Sequence, residues 1–548
     1  MASSDDIITI KEMGDKRPWW QYLDATKWKL FIAALIGVTL DGYDFVLITL
    51  ALPEIKATFD LTLVQSAALV SAAFITRWLG GLILGGVGDR FGRKPAMIIA
   101  TVLFAIGSLL MGFSPNFMFL FVMRMVVGFA MAGEYGSSAT YVIESWHPRI
   151  RGKASSFLLS GYAIGAILAV QVDKYLVPWA NSWHTGWGWR ALFITGVVPI
   201  AVALYMRRRL PEASDWETAK SRNRRESSES RDAFQVLFSG RRMSLNITLV
   251  IATMAGLLAI FALNILTFWG VFAVAATCGA IFVCLIVQFD PRRWVIGIGI
   301  MIVILSAFMY GWPILGLLPT YLKGAGYEAS TVANMLTVAQ FGNMIGYFVA
   351  GFMGDLIGMR KWYFTSILIA QVIVFPLFFA GIKSAWLIGL LLFFNQLFGQ
   401  GISGLAPRWV SSYFPVEQRA AGVGFIYNVG ALGGAIGPVM RASLAKGYGL
   451  GSALGVLSVG FGLIVVLGVG LNLPRKLQAL INPKVVRPED GDDRYINSED
   501  LFERVRVRRV LNRRPEHTFI ISKQNEVRKP RRDVNHGCYQ YIYRAIGD

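Results

Sequence analysis

The feature that most constrains this chain is its alternation of apolar runs of about 20 residues with short polar loops. A helix of that length crosses roughly 30 Å of hydrocarbon. In lipid every backbone amide must be bonded internally, which leaves helices or closed barrels. A spanning barrel would show alternating segments of about ten residues, and none occur. The runs fall at about 30–52, 66–87, 96–113, 117–141, 155–172 and 189–206, then at about 294–319, 331–353, 363–382, 385–404, 420–444 and 452–473. Between the two sets, residues 245–289 are too long for one helix, and a turn near 264–270 divides them into a pair. The expectation is an all-α polytopic membrane protein with fourteen transmembrane helices.

Charge placement agrees. Only 16% of residues are charged against 55% hydrophobic, too little polar surface to dissolve a chain of 548 residues. The formal net charge of +19 comes from Lys and Arg in loops on one side: 90–94, 147–153, 207–242, 292–293, 360–361 and the C-terminal tail. Loops 53–62, 114–116 and 320–328 fall on the other side and carry few cations. The positive-inside rule therefore puts both termini in the cytoplasm of a multi-pass protein of the inner (plasma) membrane, and it accounts for the charge without nucleic acid. The lipid bilayer is the partner this composition requires.

Three cysteines and four histidines show no metal-ligand spacing, so no metal or cofactor is expected. The acidic N-terminus lacks the pattern of a cleaved signal peptide. The expected organisation is a cytoplasmic N-terminus (1–28), a six-helix bundle (29–206), a basic loop (207–244), an inserted helix pair (245–289), a second six-helix bundle (290–473) and a polar tail (474–548) to which no function is assigned.

The halves repeat. Gly85, Gly88, Asp89, Arg90, Gly92, Arg93 and Lys94 form one loop, and Gly351, Gly354, Asp355, Gly358, Arg360 and Lys361 form another, with the glycines, the aspartate and a basic residue at identical spacing. Arg151-Gly-Lys-Ala and Arg419-Ala-Ala-Gly make a second echo, each opening a glycine-rich helix. Duplicated bundles of this kind are expected of transporters. Glycines let helices approach closely, the aspartate can cap a helix N-terminus, and the cations hold the loop at the headgroups. This pattern resembles the signature loop of the major facilitator superfamily. The resemblance implies two pseudo-symmetric six-helix bundles, here with a central extra pair, and a gating rather than substrate-binding role for the loops.

Charged residues inside the spans are few and costly, about 2.5–3.5 kcal/mol each on insertion scales. Asp41 and Asp44 share a face of the first span. Arg77 lies in the second; Arg124 and Glu134 lie in the fourth, roughly 15 Å apart along the axis. Each has a structural alternative: Glu144 as a partner of Arg90 or Arg93, Arg77 as a packing ion pair, Glu134 as a stitch between helices. Gly-Tyr-Asp44 and Arg124-x-x-x-Gly128 resemble proton-coupled sugar and phosphate porters, which implies that Asp44 takes the proton and Arg124 is its partner. Asp41 has no such match and stands with Glu134 as a further coupling candidate.

A polyol ligand needs amides for its hydroxyls and aromatic rings for stacking. Tyr43, Tyr135, Gln171, Tyr310, Trp312, Gln340, Asn343, Asn395, Gln396, Gln400, Tyr427 and Asn428 are the midplane candidates. Gln340, Asn395, Gln396 and Asn428 are favoured, because an amide in lipid is costly without a partner.

A closer resemblance rests on Leu40-Asp-Gly-Tyr-Asp-Phe-Val-Leu-Ile48, on the stretch from Met131 to Trp146, on Leu317-Leu-Pro-Thr-Tyr-Leu-Lys323, on Gln418-Arg-Ala-Ala-Gly422 and on Tyr427-Asn-Val-Gly-Ala-Leu-Gly-Gly-Ala435. Over about residues 17–475 these resemble the bacterial sialic acid permeases. The resemblance implies proton symport of N-acetylneuraminate by a monomer, with Arg77 and Arg124 as the cations available to a sugar-acid anion. Another organic acid, a drug export role and a non-transporting sensor are the alternatives. No nucleophile–base or metal constellation points to an enzyme.

Overall fold

The computed structural model describes residues 18–196, 237–263, 266–437 and 449–486, with isolated positions at 205, 208, 211–213, 216–217, 220–221, 440 and 447. All of these lie in one compact unit, Arg17–Asp493. The N-terminal residues 1–17, most of the loop 197–236, the turn residues 264–265, most of the stretch 438–448 and the tail beyond 486 lie outside the described residues.

Among the described residues the regular structure is entirely helical. Side-chain caps start several of the helices. In α1 (Ala25–Phe59) Asp24 accepts the Lys27 amide at 2.8 Å. In α2 (Leu63–Phe91) Thr62 and Gln65 form a reciprocal capping box. In α4 (Phe117–Ser145) Asn116 accepts the Phe119 amide at 2.9 Å. α3 (Arg93–Gly112) is separated from α2 by Gly92 at φ 119°, and α11 (Met359–Phe379) begins after Gly358 at φ 94°. The same left-handed glycine, three residues after each aspartate, makes the same break in both repeats.

α5 (Arg151–Trp183) and the start of α6 (Gly188–Thr195) complete the described first bundle. The inserted pair is α7 (Met243–Leu258), extended by a π turn at Ala259–Leu263, and α8 (Phe268–Phe289). The second bundle holds α9 (Trp294–Gly324), α10 (Ala329–Met353), α11, α12 (Ala385–Asn395), α13 (Arg419–Ala431) and α14 (Leu450–Val465). α12 continues through a π turn, Gln396–Gln400, and a 3-10 turn into Ala406–Ser411. Twelve described stretches are long and apolar enough to cross a membrane; one of them, Ser330–Phe379, contains both α10 and α11. Counting α10 and α11 separately gives thirteen; the remaining expected span, 189–206, is described only as far as residue 196, through α6.

The two bundles meet where α2 packs on α13 and α5 on α10. Glycine permits the closest crossing: a Cβ on Gly81 would stand 2.0 Å from the Gly424 carbonyl oxygen. The inserted pair lies on the outside of the α2–α13 seam. Its Phe282 meets Trp78 of α2 edge-on at 5.1 Å, and its Phe289 meets Phe414 at 6.0 Å. Trp269 and Phe272 stay exposed on its far face, where lipid would cover them.

Candidate functional site

The basic side of the seam is held by exchanged caps. Asp89, at the end of α2, accepts the amides of Ala420 and Ala421 at 3.0 and 2.9 Å, the first turn of α13 in the other half. Asp355, at the end of α10, accepts the amides of Gly152 and Lys153 at 2.9 and 3.1 Å, the first turn of α5. Each aspartate of the loop repeat thus caps the helix opened by the arginine repeat of the opposite half, where amide donors and the helix dipole both favour an anion.

Cations complete both knots. Arg93 is fully buried and spends all five of its N–H donors, on both Glu144 oxygens, Asp89 and the carbonyls of Gly88 and Val416. Arg419 reaches Glu144 from the other half at 3.1 Å. Lys153 and Arg408 pair with Asp355 at 3.1 and 2.7 Å. Of the two partners considered for Glu144, the structure selects Arg93. Arg90 is exposed over Phe91. The amide of Lys94 meets Glu212, and Arg360 donates to the Gly470 carbonyl at 3.1 Å. Gly85 and Gly88 face Ala420 across the seam, and Gly354 packs on Leu405.

Sequence reasoning missed Glu212. Its carboxylate accepts the Arg93 and Lys94 amides at 2.9 and 3.2 Å and so caps α3. Burial pushes this carboxyl above the usual carboxylate range, against the opposing pull of the amides it accepts from. The available signal was an acid directly after Pro211, the first of six acidic residues in the basic loop 207–242.

Inside the seam lies a cavity walled by both bundles. Asp41, Arg77, Tyr135 and Tyr162 line it from the first, and Tyr310, Trp312, Tyr347, Tyr363, Gln400, Ser403, Trp409 and Tyr427 from the second. Arg77 donates from Nε to Asn428 Oδ1 at 3.1 Å, and Asn428 is held in turn by the Gly424 carbonyl at 2.6 Å. Tyr135 stacks on Tyr427 with ring centroids 4.4 Å apart. The Tyr162 hydroxyl and the Trp409 indole N–H are buried without a protein hydrogen-bond partner. On the side away from the ionic knots, Trp312 stacks on Phe308 and meets Phe45, Phe74 and Tyr162 edge-on at 4.6, 6.5 and 5.7 Å. These rings come from both halves and cover that end of the cavity.

Asp44 and Arg124 are brought together as a salt bridge, with Ser108 of α3 at 3.5 Å. They sit inside the first bundle, 1% and 0% exposed, rather than on the wall of the cleft between bundles. Arg124 gives only Nη1 to Asp44; its Nε and Nη2 have no hydrogen-bond partner. Glu134 is buried and accepts from Ser138 one turn on. The Tyr43 hydroxyl is within 2.6 Å of Thr195, away from the cavity.

The favoured amides divide. Asn428 supports Arg77. Asn395 donates to the Ala370 carbonyl at 3.3 Å, Gln396 to Asn395 at 3.4 Å, and Gln340 accepts from Asn343 at 3.4 Å, all within the second bundle. Tyr162, Tyr347, Tyr363, Ser403 and Trp409 line the cavity and were not singled out from sequence.

Two repeat-related helical bundles around an aromatic cavity with a few polar groups, joined on one side by buried charges, have the architecture of a multi-pass membrane transporter. Residues 29–236 match the family profile "Sugar (and other) transporter", and residues 296–514 match "Major Facilitator Superfamily". The chain is 31% identical over 462 residues to the sialic acid transporter NanX of Escherichia coli K12, covering 84% of this chain and 98% of that one. It is 25% identical to the probable 4-methylmuconolactone transporter of Cupriavidus pinatubonensis, covering 83% and 92%. Its fold matches the solved structure of the proton:xylose symporter XylE with a TM-score of 0.61 at 19% identity, covering 87% of this chain and 99% of that one. The chain belongs to the major facilitator superfamily.

Proposed function

We propose that this protein imports a sialic acid, N-acetylneuraminate, with a proton, by alternating access in the inner membrane. The observation that carries this reading is Arg77: a guanidinium fixed by Asn428 on the wall of an aromatic cavity between the bundles. A guanidinium binds a carboxylate in planar bidentate fashion. The tyrosine and tryptophan faces suit a sugar ring, and the buried donors of Tyr162 and Trp409 suit its oxygens. The likeness to NanX over most of both chains supports the choice of sugar acid.

In this reading the basic side is cytoplasmic, so the structure is closed to the cytoplasm, and the monomer is the working unit. Asp44 is the proton acceptor. Protonation cancels its charge and releases Arg124, giving two arrangements whose balance a proton and a substrate both bias. One proton with one monoanion is electroneutral; a second proton, through Asp41 or Glu134, would add about 2.3 kcal/mol of drive per 100 mV.

The aromatic lining also favours a second reading, an unsaturated or aromatic organic acid, in line with the 4-methylmuconolactone relative. Uptake of radiolabelled N-acetylneuraminate into a transport-null strain decides between them. Saturable uptake competed by other sialic acids and not by muconate supports the first. Absence of uptake, with muconate accumulated instead, overturns it.

A further inference from the structure

After α14 the chain makes a π turn, Val466–Gly470, and bends at Asn472, whose φ is 50°. α15 (Leu473–Ile481) follows on the basic side. Nine residues span about 13 Å and cannot cross a bilayer. The helix divides into three faces. Pro474 and Gln478 are buried against the start of α9: Pro474 packs on Gly299, and Gln478 donates to the Arg292 carbonyl at 3.0 Å. Arg475 and Lys476 occupy a second face. Leu477, Leu480 and Ile481 form the third, 47%, 82% and 60% exposed.

An amphipathic helix normally turns its apolar face into the protein. This one docks by its polar glutamine and leaves three large aliphatic side chains outward, at the edge of the membrane domain. Among the described residues the neighbouring segments are mainly basic. Segments 290–294, 359–361 and 473–486 carry Arg292, Arg293, Arg360, Lys361, Arg475, Lys476 and Lys484 against a single carboxylate, Asp290. An apolar stripe bordered by cations fits the boundary between acyl chains and anionic headgroups.

We infer that α15 lies in the headgroup layer of the cytoplasmic leaflet and binds anionic phospholipid, with Leu477, Leu480 and Ile481 among the upper acyl carbons and Arg475 and Lys476 on the phosphates. The inference goes beyond the substrate reading and shares with it only the sidedness. The anchor is tied to the gate: Asn472, which starts α15, accepts the Tyr413 hydroxyl at 2.6 Å, just ahead of the helix that Asp89 caps.

The test uses the full chain with a benzoylphenylalanine at position 480, reconstituted in vesicles of phosphatidylethanolamine and phosphatidylglycerol at about 3:1 and irradiated. The expected products are lipid adducts. Each engaged cation favours the anionic lipid about fivefold, so the adduct ratio of phosphatidylglycerol to phosphatidylethanolamine should exceed the bulk ratio by about 25-fold. The Arg475→Gln/Lys476→Gln pair should return it to the bulk ratio. A crosslink to the chain's own residues 487–548, an adduct ratio equal to bulk in the unaltered protein, or an enrichment untouched by the double change would each overturn the assignment.

Discussion

Asp355→Asn isolates the latch from the cavity. The Asp355 side chain is 4% exposed and accepts four hydrogen bonds, three of them across the seam from the amides of Gly152 and Lys153 and from Lys153 Nζ, and one from Arg408. Asparagine keeps the shape and one acceptor oxygen. It loses the charge, about half of the acceptor capacity, and the counter-ion of a lysine that is only 8% exposed. Hydrogen bonds to charged groups contribute about 1.5–3 kcal/mol each, and breaking a buried pair from one side costs about 3–5 kcal/mol. Because one oxygen remains, we take about 3 kcal/mol against the latched state.

That energy is read as exposure of the seam. Ser156 on α5 is fully buried, and its hydroxyl sits 2.9 Å from where a Gly404 Cβ would stand. In a protein whose Cys278, Cys284 and Cys538 are replaced by serine, Ser156→Cys reacts with a polar maleimide only when the basic side opens. While the open form is minor, the rate follows its population, and about 3 kcal/mol corresponds to about 150-fold faster labelling. Asp89→Asn, its repeat counterpart, should give a rise of similar size. An unchanged labelling rate in both variants would show that the exchanged caps do not hold the gate.

Three further outcomes follow from the cavity and the buried couple. Asp44→Asn should abolish accumulation against a gradient while substrate exchange persists; unaltered accumulation removes the coupling role. Arg77→Lys keeps the charge but loses the planar fork and the Nε bond to Asn428, so KM for a sugar acid should rise about 10–100-fold with a smaller change in kcat; an unchanged KM would take the carboxylate elsewhere. Trp312→Ala removes ring contacts of about 0.5–1.5 kcal/mol each. Maleimide added from the side opposite the basic loops should then label Ser403→Cys about tenfold faster, and no change would end the reading of these rings as a lid.

The sequence made the repeat legible because glycine and aspartate are read at fixed spacing. Gly92 and Gly358 sit three residues after their aspartates, and both take left-handed φ. What joins the repeats was hidden: Asp89 meets Ala420 across 331 positions of chain, and no local pattern encodes that partner. None of the four favoured amides lines the cavity directly, and there is a physical reason. The cost of burying an amide demands a hydrogen bond but does not say with what, and Asn395 is satisfied by the Ala370 carbonyl. Tyr347, Tyr363 and Trp409 escaped for the opposite reason, since an aromatic body pays its way in lipid and its one polar tip leaves no trace in hydropathy.

The placement of Asp44 carries a consequence for coupling. Its salt bridge lies inside one bundle, so under the proposed coupling a proton there acts on the cavity through a helix rather than by direct contact with the substrate. α1 provides the link within one turn: Asp44 holds Arg124, Asp41 lines the cavity, and Phe45 meets Trp312 at 4.6 Å. If neutralising Asp44 loosens α1 from α4, the lid should loosen with it. Asp44→Asn should therefore speed labelling of Ser403→Cys from the lid side, and Phe45→Ala should speed it without altering the acid. Should Asp44→Asn end accumulation yet leave this labelling unchanged, the proton signal travels by another route, and α1 is not the lever.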